Sequence, residues 1–443
     1  MQVAGSTANA TRGQKALESP SIESPIVAPK ASDWVSLAVL FAPLISVTIL
    51  AKFAVPPFGA RGIGISIPIM FIALTVGVAA GRLRFDGPRL AFFLALIGLV
   101  GCMQILRSDS FSAPSLALLV AAHLPYVFVL ARGRNYAETV SKLYLDIATL
   151  MALCGLAQFF LQSIIDHRFL FPIENFVPKQ FVVQKFNEEG VLSFGSEIYR
   201  PNGIFLLEPS FLGQLLGTAI VIEFCMLNRW RRLLIYGLAL LAAHSGTGLL
   251  IIAVCIPLFV IRRRRWDLLL LMAVMSLAIL AFGDHFHLDN LFSRATEFNS
   301  TQSSGFARFV GGFYLFNQYL WDDPWRTLFG FGAGAFKTYQ VRAHYPVAEQ
   351  TLFKIIFEFG IVGALMYFSF LWYCLVSSTM PILIKVAVGM GFFLNGVYGP
   401  FQHGLVLSLL VWPSSSDAAV SLSNRLRPER WISGAVGNTA MSS

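Results

Sequence analysis

The sequence has few charged residues, and its cysteines lack the spacing of a disulfide framework or a zinc site. Charged residues make up 13% of the chain, about half of their share in an average soluble domain. All five cysteines lie inside apolar segments with no C-x-x-C spacing, at Cys102, Cys154, Cys225, Cys255 and Cys374. We interpret them as small core residues, and the sequence predicts neither a metal site nor a cofactor.

Signatures of nucleotide and nucleic-acid binding are also missing. The glycine-rich run L-F-G-F-G-A-G-A-F at residues 328–336 is not followed by Gly-Lys-Ser/Thr, so it is not a nucleotide P-loop. It indicates a tight turn or close backbone packing instead. Much of the net charge of +9 comes from arginines beside apolar runs, a pattern typical of membrane orientation. The sequence therefore predicts no nucleic-acid partner.

Apolar residues dominate the chain. They make up 56% of it, and phenylalanine alone occurs 40 times. Repeated apolar runs of about 17–25 residues indicate transmembrane helices. We predict an all-α, polytopic membrane protein of about 12 spans. The predicted spans lie near Trp34–Phe53, Ile63–Ala80, Leu90–Leu106, Ala113–Ala131, Leu143–Gln162, Pro209–Leu227, Leu233–Ala243, Thr247–Ile261, Trp266–Phe282, Thr351–Ser377, Met380–Gly396 and Phe401–Val411.

The two ends of the chain are polar. Residues 1–33 are rich in Ser, Pro and Ala and lack the apolar stretch of a signal peptide, and residues 414–443 have a similar composition. We predict that both are disordered cytoplasmic tails. The transmembrane domain is then residues 34–413.

Clusters of basic residues set the orientation. Cytoplasmic connections carry an excess of Lys and Arg. With the N-terminus in the cytoplasm, four clusters fall on the cytoplasmic side: Arg82 to Arg89, Arg132 to Lys142, Arg229 to Arg232, and Arg262 to Arg265.

The stretch Leu233–Ile261 decides the topology. It is apolar, with the polar interruption His244–Gly248 near its middle. A single helix here would be roughly 43 Å long, which is too long for a hydrocarbon core of about 30 Å. A hairpin is short, but only a hairpin places both flanking arginine clusters inside. We therefore predict a hairpin whose polar tip is buried in protein or lines a water-filled cavity.

The hairpin places two long polar loops, near residues 163–208 and 283–350, on the same outer face of the membrane. The larger is too long for a simple connection and is predicted to be partly helical. Arginine binds phosphate through a planar fork and remains charged. A basic surface beside the bilayer therefore suits a lipid-linked phosphate or pyrophosphate. The loop basic residues are Arg168, Lys179, Lys185, Arg200, Arg294, Arg308, Arg326, Lys337 and Arg342.

Glu208, at the end of the first long loop, is a further candidate site residue. It precedes Pro209, which favours the first position of a helix, so its carboxylate could cap the helix that opens there. It could equally act as a general base or bind a sugar hydroxyl. The sequence leaves both roles open.

Lys354 and Glu358 lie four residues apart at the start of a span and are predicted to pair. Other polar residues in or beside the spans are scattered. A transporter path would need a dense chain of such groups, so a transporter is the weaker interpretation. These residues are Asp146, Glu223, His123, Lys385 and Asn395.

Together, these motifs resemble the superfamily of O-antigen ligases and Wzy-type polysaccharide polymerases. The resemblance covers roughly residues 190–365 and includes a long outer loop late in the chain. It rests on R-x-x-G-x-x-x-x-E-P-S at Arg200–Ser210, S-G-T-G at Ser245–Gly248, S-G-F-A-R at Ser304–Arg308 followed by L-F-G-F-G-A-G, and E-Q-T-L-F-K-I-I-F-E-F-G-I-V-G at Glu349–Gly363. The last run matches the family pattern H-N-x-x-L-x-x-L-x-E-x-G-x-x-G.

The chain departs from that pattern at one functional position. Glu349 stands where the family usually carries histidine, and His344 lies five residues earlier. The arginine common after the Ser/Gly turn is missing too. These departures favour the polymerase branch, with an O-antigen ligase acting on lipid A core as the alternative. A lipid-linked oligosaccharide flippase or transporter and a membrane scaffold without catalysis are further alternatives.

The resemblance implies an inverting, metal-independent glycosyltransferase at the periplasmic face of the bacterial inner membrane. It would polymerise oligosaccharide repeat units on undecaprenyl pyrophosphate into exopolysaccharide or O-antigen. Arg200 and Arg308 would bind the pyrophosphate, with Arg342 as a third candidate. The base could be Glu208, Glu349 or His344. A flippase and a chain-length regulator would be the partners.

Overall fold

The computed structural model describes most of the chain between residues 31 and 414. The described residues are 31–59, 63–107, 112–131, 136–184, 186, 189–192, 196–263, 300–301 and 303–414. The predicted span Trp266–Phe282 lies outside them. Of the predicted tails, residues 1–30 and 415–443 also lie outside them. Ala31–Asp33, which were predicted to belong to the N-terminal tail, form the start of the first helix.

The first part of the chain forms helices joined at one end by a short sheet. Its elements are α1 (Ala31–Thr48), α2 (Ser66–Ala79), β1 (Leu83–Phe85), α3 (Gly87–Arg107), α4 (Ala113–His123), β2 (Phe128–Leu130) and α5 (Ala137–Leu161). β1 and β2 pair antiparallel, with Arg84 opposite Val129. The prediction of an all-α chain therefore holds except for this small sheet.

The predicted span Ala113–Ala131 is wrong at its end, where the chain leaves the helix. The α-helix ends at His123, a 3-10 turn follows over Leu124–Val127, and the chain then enters β2. Pro125 has no N–H with which to continue the helical ladder. The carbonyl of Pro125 instead accepts a hydrogen bond from the indole N–H of Trp412 at 2.9 Å. The end of the last helix thus closes onto this sheet.

The middle of the chain contains short loop helices followed by three longer ones. These are α6 (His167–Leu170), α7 (Pro172–Phe176), α8 (Pro209–Ile222), α9 (Trp230–Ala243) and α10 (Gly246–Arg263). A π-helical turn, Glu223–Leu227, continues α8.

The last part of the chain contains a helical loop and the closing helices. They are α11 (Ser304–Phe309), α12 (Gly311–Tyr319), α13 (Pro324–Phe329), α14 (Ala335–Gln340), α15 (Thr351–Val376), α16 (Ile382–Gly389), α17 (Gly391–Leu394) and α18 (Pro400–Val406), which ends in a π-helical turn, Leu407–Val411. The second long loop is therefore partly helical, as the sequence predicts.

Length and composition make several of these helices suitable for crossing a bilayer. Among the described residues, four helices are long and apolar enough by these criteria: Gly87–Ile105, Ala137–Leu161, Pro209–Leu227 and Thr351–Val376. Every predicted span within the described ranges coincides at least partly with a helix. The chain is thus a helical membrane protein, and the number of crossings stays a prediction.

The directions of α5 and α8 provide a reference for the predicted hairpin. Near the start of α5, Tyr144 donates through its hydroxyl to the carbonyl of Leu215 on α8 at 2.7 Å. Near the end of α5, Gly155 faces the side chain of Leu212. A later residue of α5 thus meets an earlier residue of α8, so the two helices run antiparallel.

Helix α9 runs in the same direction as α5. Near the start of α9, the Tyr236 hydroxyl donates to the carbonyl of Leu145 at 2.9 Å. Just beyond its end, the His244 ring lies 5.9 Å from the Phe159 ring at the other end of α5. Helix α9 therefore runs towards the end of the bundle at which α8 begins.

Helix α10 returns alongside α8 at very short range. Gly213 of α8 faces Ser245, and Gly217 faces Gly248, so the two helices run in parallel. Helices α9 and α10 therefore form a hairpin, and the arginines at their outer ends lie at the same end of the bundle. Its tip is buried, since His244 and Ser245 are 1% and 5% exposed. The predicted hairpin and its buried tip are confirmed.

Among the described residues, two larger hydrophobic cores organise the fold, beside a small cluster of Ala54, Val183 and Leu207. The main core joins α1–α5, α8–α10 and α15–α18. A second core lies under the late loop and packs α12 and α14 against the start of α15, through the buried rings of Phe316, Phe331, Phe336, Phe353 and Phe357. The late loop is therefore a folded unit seated on α15.

The contact between α8 and α10 should be sensitive to one added methyl group. A Cβ at Gly213 would overlap the side chain of Ser245. We expect Gly213→Ala to destabilise the protein by about 1–3 kcal/mol through overpacking, measured by thermal unfolding in detergent. Adding Ser245→Gly should restore much of the loss.

Gly237→Ala on α9 is the matched control, because a Cβ there meets no atom within 4 Å. It should be neutral or stabilising by up to about 1 kcal/mol through helix propensity. Equal losses in Gly213→Ala and Gly237→Ala would contradict the close-contact explanation.

The hairpin predicts that both long loops lie on the same side of the membrane. Cysteines introduced at Ser196 and Ser303 should both react with an impermeant thiol reagent applied from the periplasmic side. A cysteine at Gly87, an open position beside the small sheet, should react only after the membrane is permeabilised. The measurement is labelling in a background without the native cysteines. Labelling of only one of the two loop positions would refute a shared face.

Candidate functional site

The segment Arg200–Ile204 makes a sharp turn before α8. Gly203 and Ile204 have positive φ values of 69° and 70°, and a positive φ is costly for a β-branched residue. Gln158 on α5 stabilises the turn. Its side-chain oxygen accepts hydrogen bonds from the backbone N–H of Asn202 at 3.1 Å and of Gly203 at 2.8 Å. The surrounding helices therefore maintain the strained turn.

A buried polar network continues inward from this turn. Gln158 donates to the side-chain oxygen of Asn202 at 3.1 Å, and Asn202 donates to the Glu174 carboxylate at 3.0 Å. The same carboxylate pairs with Lys52. The Lys52 and Glu174 side chains are 0% and 7% exposed. A buried charge requires a partner of this kind, so the network fixes the turn relative to α5, α7 and the segment that follows α1.

Sequence analysis missed this network. Lys52 and Glu174 are 122 residues apart, and neither belongs to a recognisable motif. One signal was available. Lys52 lies at the edge of the first predicted span, and an ionisable residue at such a place requires a partner.

Glu208 lies directly before α8, at the N-cap position. Its side chain makes no capping hydrogen bond to the helix. Its carboxylate accepts a hydrogen bond from the Ser210 hydroxyl at 3.0 Å and lies 3.5 Å from the guanidinium of Arg308. The side chains of Glu208 and Arg308 are 19% and 29% exposed. Glu208 therefore occupies the predicted cap position, although its side chain makes no capping hydrogen bond.

Arg308 reaches Glu208 because α11 is fixed at both of its ends. Ser303 caps the helix by accepting the backbone N–H of Phe306 at 3.0 Å. The Ala307 carbonyl accepts the backbone N–H of Ala348 at 2.8 Å. The resulting ion pair joins residues 100 positions apart, and it brings the two long loops together beside the start of α8.

The Ser/Gly turn of the hairpin packs against the same place. The Thr247 hydroxyl donates to the backbone carbonyl of Ser210 at 3.0 Å, and it lies 2.9 Å from the Ser245 hydroxyl. The motifs at Arg200–Ser210 and Ser245–Gly248, which are separate in sequence, therefore adjoin in the fold.

A second group of charges lies at the start of α15. Lys354 pairs with Glu349 at 2.6 Å and with Glu358 at 3.3 Å. The Lys354 and Glu358 side chains are 5% and 0% exposed, whereas Glu349 is 40% exposed. The predicted pair of Lys354 and Glu358 is confirmed, and Glu349 extends it towards the surface.

The glycine-rich run packs against a break in α15. Gly360 has a φ of 65° inside this helix, so the carbonyls of the preceding turn become available. Phe331 and Gly332 donate to the carbonyls of Phe357 and Glu358 at 3.0 and 2.9 Å. The predicted close backbone packing is confirmed, and it places Glu358 at the beginning of α14.

Tyr398 borders this charged group from the connection between α17 and α18. Its ring centroid lies 5.0 Å from the Lys354 ammonium nitrogen. Burial, together with the nearby charges of Glu358 and Glu349, raises the pKa of the Tyr398 hydroxyl well above its ordinary value. The hydroxyl therefore remains protonated and donates to the carbonyl of Ser115 at 3.3 Å.

An amide pair joins α8 to this second group. The side chains of Gln214 and Asn395 exchange hydrogen bonds of 3.2 and 2.7 Å. The Asn395 carbonyl accepts the backbone N–H and the hydroxyl of Thr351 at 3.1 and 2.8 Å. The start of α15 is thus held at a fixed position beside α8.

The structure brings only some of the predicted site residues together. Glu208 contacts Arg308, and the Ala348–Ala307 hydrogen bond places Glu349 on a segment next to Arg308. Arg200 is half-buried, and its backbone N–H donates to Gly190 at 2.8 Å. In the described part of the chain, Arg342 and His344 are exposed and make no side-chain hydrogen bond or ion pair with Glu208 or Arg308.

Polar residues elsewhere in the spans have local partners. Asp146 pairs with Arg232 at 2.7 Å, and Glu223 pairs with Arg229 at 2.6 Å. Within the described ranges, no group of three or more His, Cys, Asp or Glu side chains is placed to hold a metal ion. The concentration of polar residues around Glu208, Arg308 and Lys354 is therefore the strongest candidate for a functional site.

Comparison with known proteins identifies the family of this chain. A comparison with curated proteins finds no match. The model of the WcaD colanic acid polymerase family matches residues 65–383, a range that extends from α2 to the start of α16 and includes Glu208, Arg308 and Lys354. Because this match covers most of the chain, the chain belongs to the WcaD colanic acid polymerase family of Wzy-type polysaccharide polymerases, membrane enzymes that polymerise polysaccharide repeat units.

Proposed function

We propose that this polymerase joins oligosaccharide repeat units carried on undecaprenyl pyrophosphate, by inverting and metal-independent glycosyl transfer at the periplasmic face. The growing glycan on its lipid pyrophosphate is the donor, and a sugar hydroxyl of another lipid-linked repeat unit is the acceptor. The observation that carries this proposal is the Glu208–Arg308 pair at the start of α8. In this pair, a cation that can bind phosphate lies beside a carboxylate that can accept a proton from a hydroxyl.

On the donor side, Arg308 binds the pyrophosphate. A guanidinium can form two parallel hydrogen bonds to phosphate oxygens, and the start of α8 adds a favourable dipole for an anion. Arg200 precedes the fixed turn at the same end of the fold and supplies a second cation. Charge builds on the pyrophosphate as its bond to the sugar breaks, so these cations stabilise the transition state.

On the acceptor side, Glu208 is the base that the geometry favours. The pyrophosphate displaces the Glu208 carboxylate from Arg308, and the freed carboxylate accepts the proton of the acceptor hydroxyl. The hydroxyl oxygen attacks the anomeric carbon, the bond to the pyrophosphate breaks, and the configuration inverts. Glu349 is already paired with Lys354 at 2.6 Å. His344 and Arg342 lie on an exposed segment, so they are second choices for base and phosphate ligand.

The proposal also includes the location, the product and the partners of the enzyme. The enzyme resides in the bacterial inner membrane with both termini in the cytoplasm, and its product is an exopolysaccharide or an O-antigen. A flippase supplies the lipid-linked repeat unit at the periplasmic face, and a chain-length regulator is a further partner.

Removing Arg308 should slow chain growth strongly without preventing membrane insertion. Purified Arg308→Ala, given lipid-linked repeat units in detergent, should elongate them about 10²–10³-fold more slowly, the usual loss for one charge-stabilising donor. Arg308→Lys should retain part of the activity, since an ammonium supplies charge without the fork. Arg200→Ala should also accumulate single repeat units.

Lys337→Ala is the matched control. It removes one positive charge from an exposed position of the same loop and should leave the rate unchanged. Normal polymer from both Arg308→Ala and Arg200→Ala would overturn the assigned pyrophosphate site, and absence of elongation by the unaltered protein would contradict polymerisation itself.

Glu208→Gln tests the base. It keeps the size of the side chain but cannot accept the proton, so kcat should fall by about 10²–10⁴-fold while KM for the donor changes little. Glu208→Asp should recover part of kcat. Glu197→Gln, at an exposed position in the same loop, should behave like the unaltered protein. An unchanged kcat in Glu208→Gln would move the assignment to Glu349 or His344.

A further inference from the structure

Three aromatic rings cluster on the late loop, outside the site described above. Phe306 on α11 and Tyr314 on α12 stack with centroids 5.7 Å apart. Tyr345 packs against both rings, 4.8 Å from Tyr314 and 5.8 Å from Phe306. Phe306 is buried, while Tyr314 and Tyr345 are 46% and 39% exposed. We call Phe306, Tyr314 and Tyr345 the aromatic platform.

Polar side chains border the aromatic platform. Gln318 lies four residues after Tyr314 on α12, so the two share one face of the helix. The Gln318 side-chain oxygen accepts the backbone N–H of His344 at 3.3 Å, which holds the segment of His344 and Tyr345 against α12. The imidazole of His344 is exposed. Exposed rings and hydrogen-bonding groups therefore occur together on one surface.

The aromatic platform is close to the ion pair at the start of α8. Phe306 and Arg308 lie two residues apart on α11, and such residues point to different sides of a helix. The two sites are thus separated by roughly the diameter of a helix, about 10–12 Å. A glycan attached at the pyrophosphate would cover that distance within its first few sugars.

The chemistry of this surface matches that of a sugar ring. A pyranose has faces of polarised C–H bonds, which pack against the electron-rich face of an aromatic ring, and a rim of hydroxyls that requires hydrogen bonds. We propose that the aromatic platform, with Gln318 and His344, is a glycan subsite that binds a pyranose ring of the repeat unit. The inference rests on the proposed function and adds a sugar-binding role to residues of the late loop.

Exposed aromatic residues of a membrane protein can also lie at the bilayer interface. The position of the aromatic platform favours a sugar. Its residues share the folded loop that carries Arg308, and Gln318 and His344 border it. Bilayer anchoring would require no such arrangement, and it is the alternative outcome of the test below.

The test uses the full-length protein in detergent and the free oligosaccharide repeat unit, released by mild acid from lipid-linked units of cells lacking the polymerase. Saturation-transfer NMR should show magnetisation passing from the protein to sugar C–H protons. Tyr314→Leu with Tyr345→Leu should abolish most of this signal and raise KM for the lipid-linked donor about tenfold. Tyr314→Phe with Tyr345→Phe should retain both, because the rings remain.

Phe169→Leu is the matched control, since it removes an exposed ring from the other loop and should change neither the signal nor KM. Equal signal and KM in the Tyr→Leu pair and the unaltered protein would overturn the subsite and favour bilayer anchoring. That result is distinguishable from a failure of the proposed function, in which the unaltered protein itself does not elongate lipid-linked units.

Discussion

The close contact between α8 and α10 is the constraint on which the rest of the structure depends. Gly213, Gly217 and Gly248 leave no room for a Cβ between the two helices, and small residues are what allow backbones in a membrane to approach this closely. The contact holds the hairpin turn against the start of α8, where the Thr247 hydroxyl bonds to the carbonyl of Ser210. It therefore places both long loops at the same end of the bundle, and a site shared by them becomes possible.

The buried network around Asn202 fixes the position of the segment before α8 more than it stabilises the fold. A buried ion pair such as Lys52–Glu174 recovers little net free energy, because both charges lose their hydration. It does leave the segment before α8 only one favourable position. The positive φ of Ile204 is tolerated there because Gln158 and Asn202 hold the turn from both sides. The buried network and the strained turn thus hold the segment before α8 in one position. Fixed positions matter because preorganised charges stabilise a transition state most effectively.

Local signals in the sequence were sufficient for part of this arrangement. The arginines beside Leu233–Ile261 indicated the hairpin, and the spacing of Lys354 and Glu358 indicated their ion pair. The Lys52–Glu174 pair could not be predicted, because its members are 122 residues apart. Composition did not reveal that Ala113–Ala131 changes from helix to strand, since its last residues, Phe128–Leu130, pair with β1 through tertiary contacts. Nor could residue type show that Arg308 reaches Glu208 while Arg342 and His344 remain on an exposed segment.

The two groups of charges differ in how readily they can exchange partners. Lys354 and Glu358 are buried, so breaking their pair would leave an uncompensated charge in an apolar surrounding, at high cost. Glu208 and Arg308 are partly exposed, and their separation of 3.5 Å is at the limit of a hydrogen bond. Water already screens this pair, so its net contribution to folding is small. In the proposed mechanism, a doubly charged pyrophosphate therefore takes Arg308 from Glu208 at little cost to stability, while the Lys354 pair keeps the start of α15 in place during the exchange.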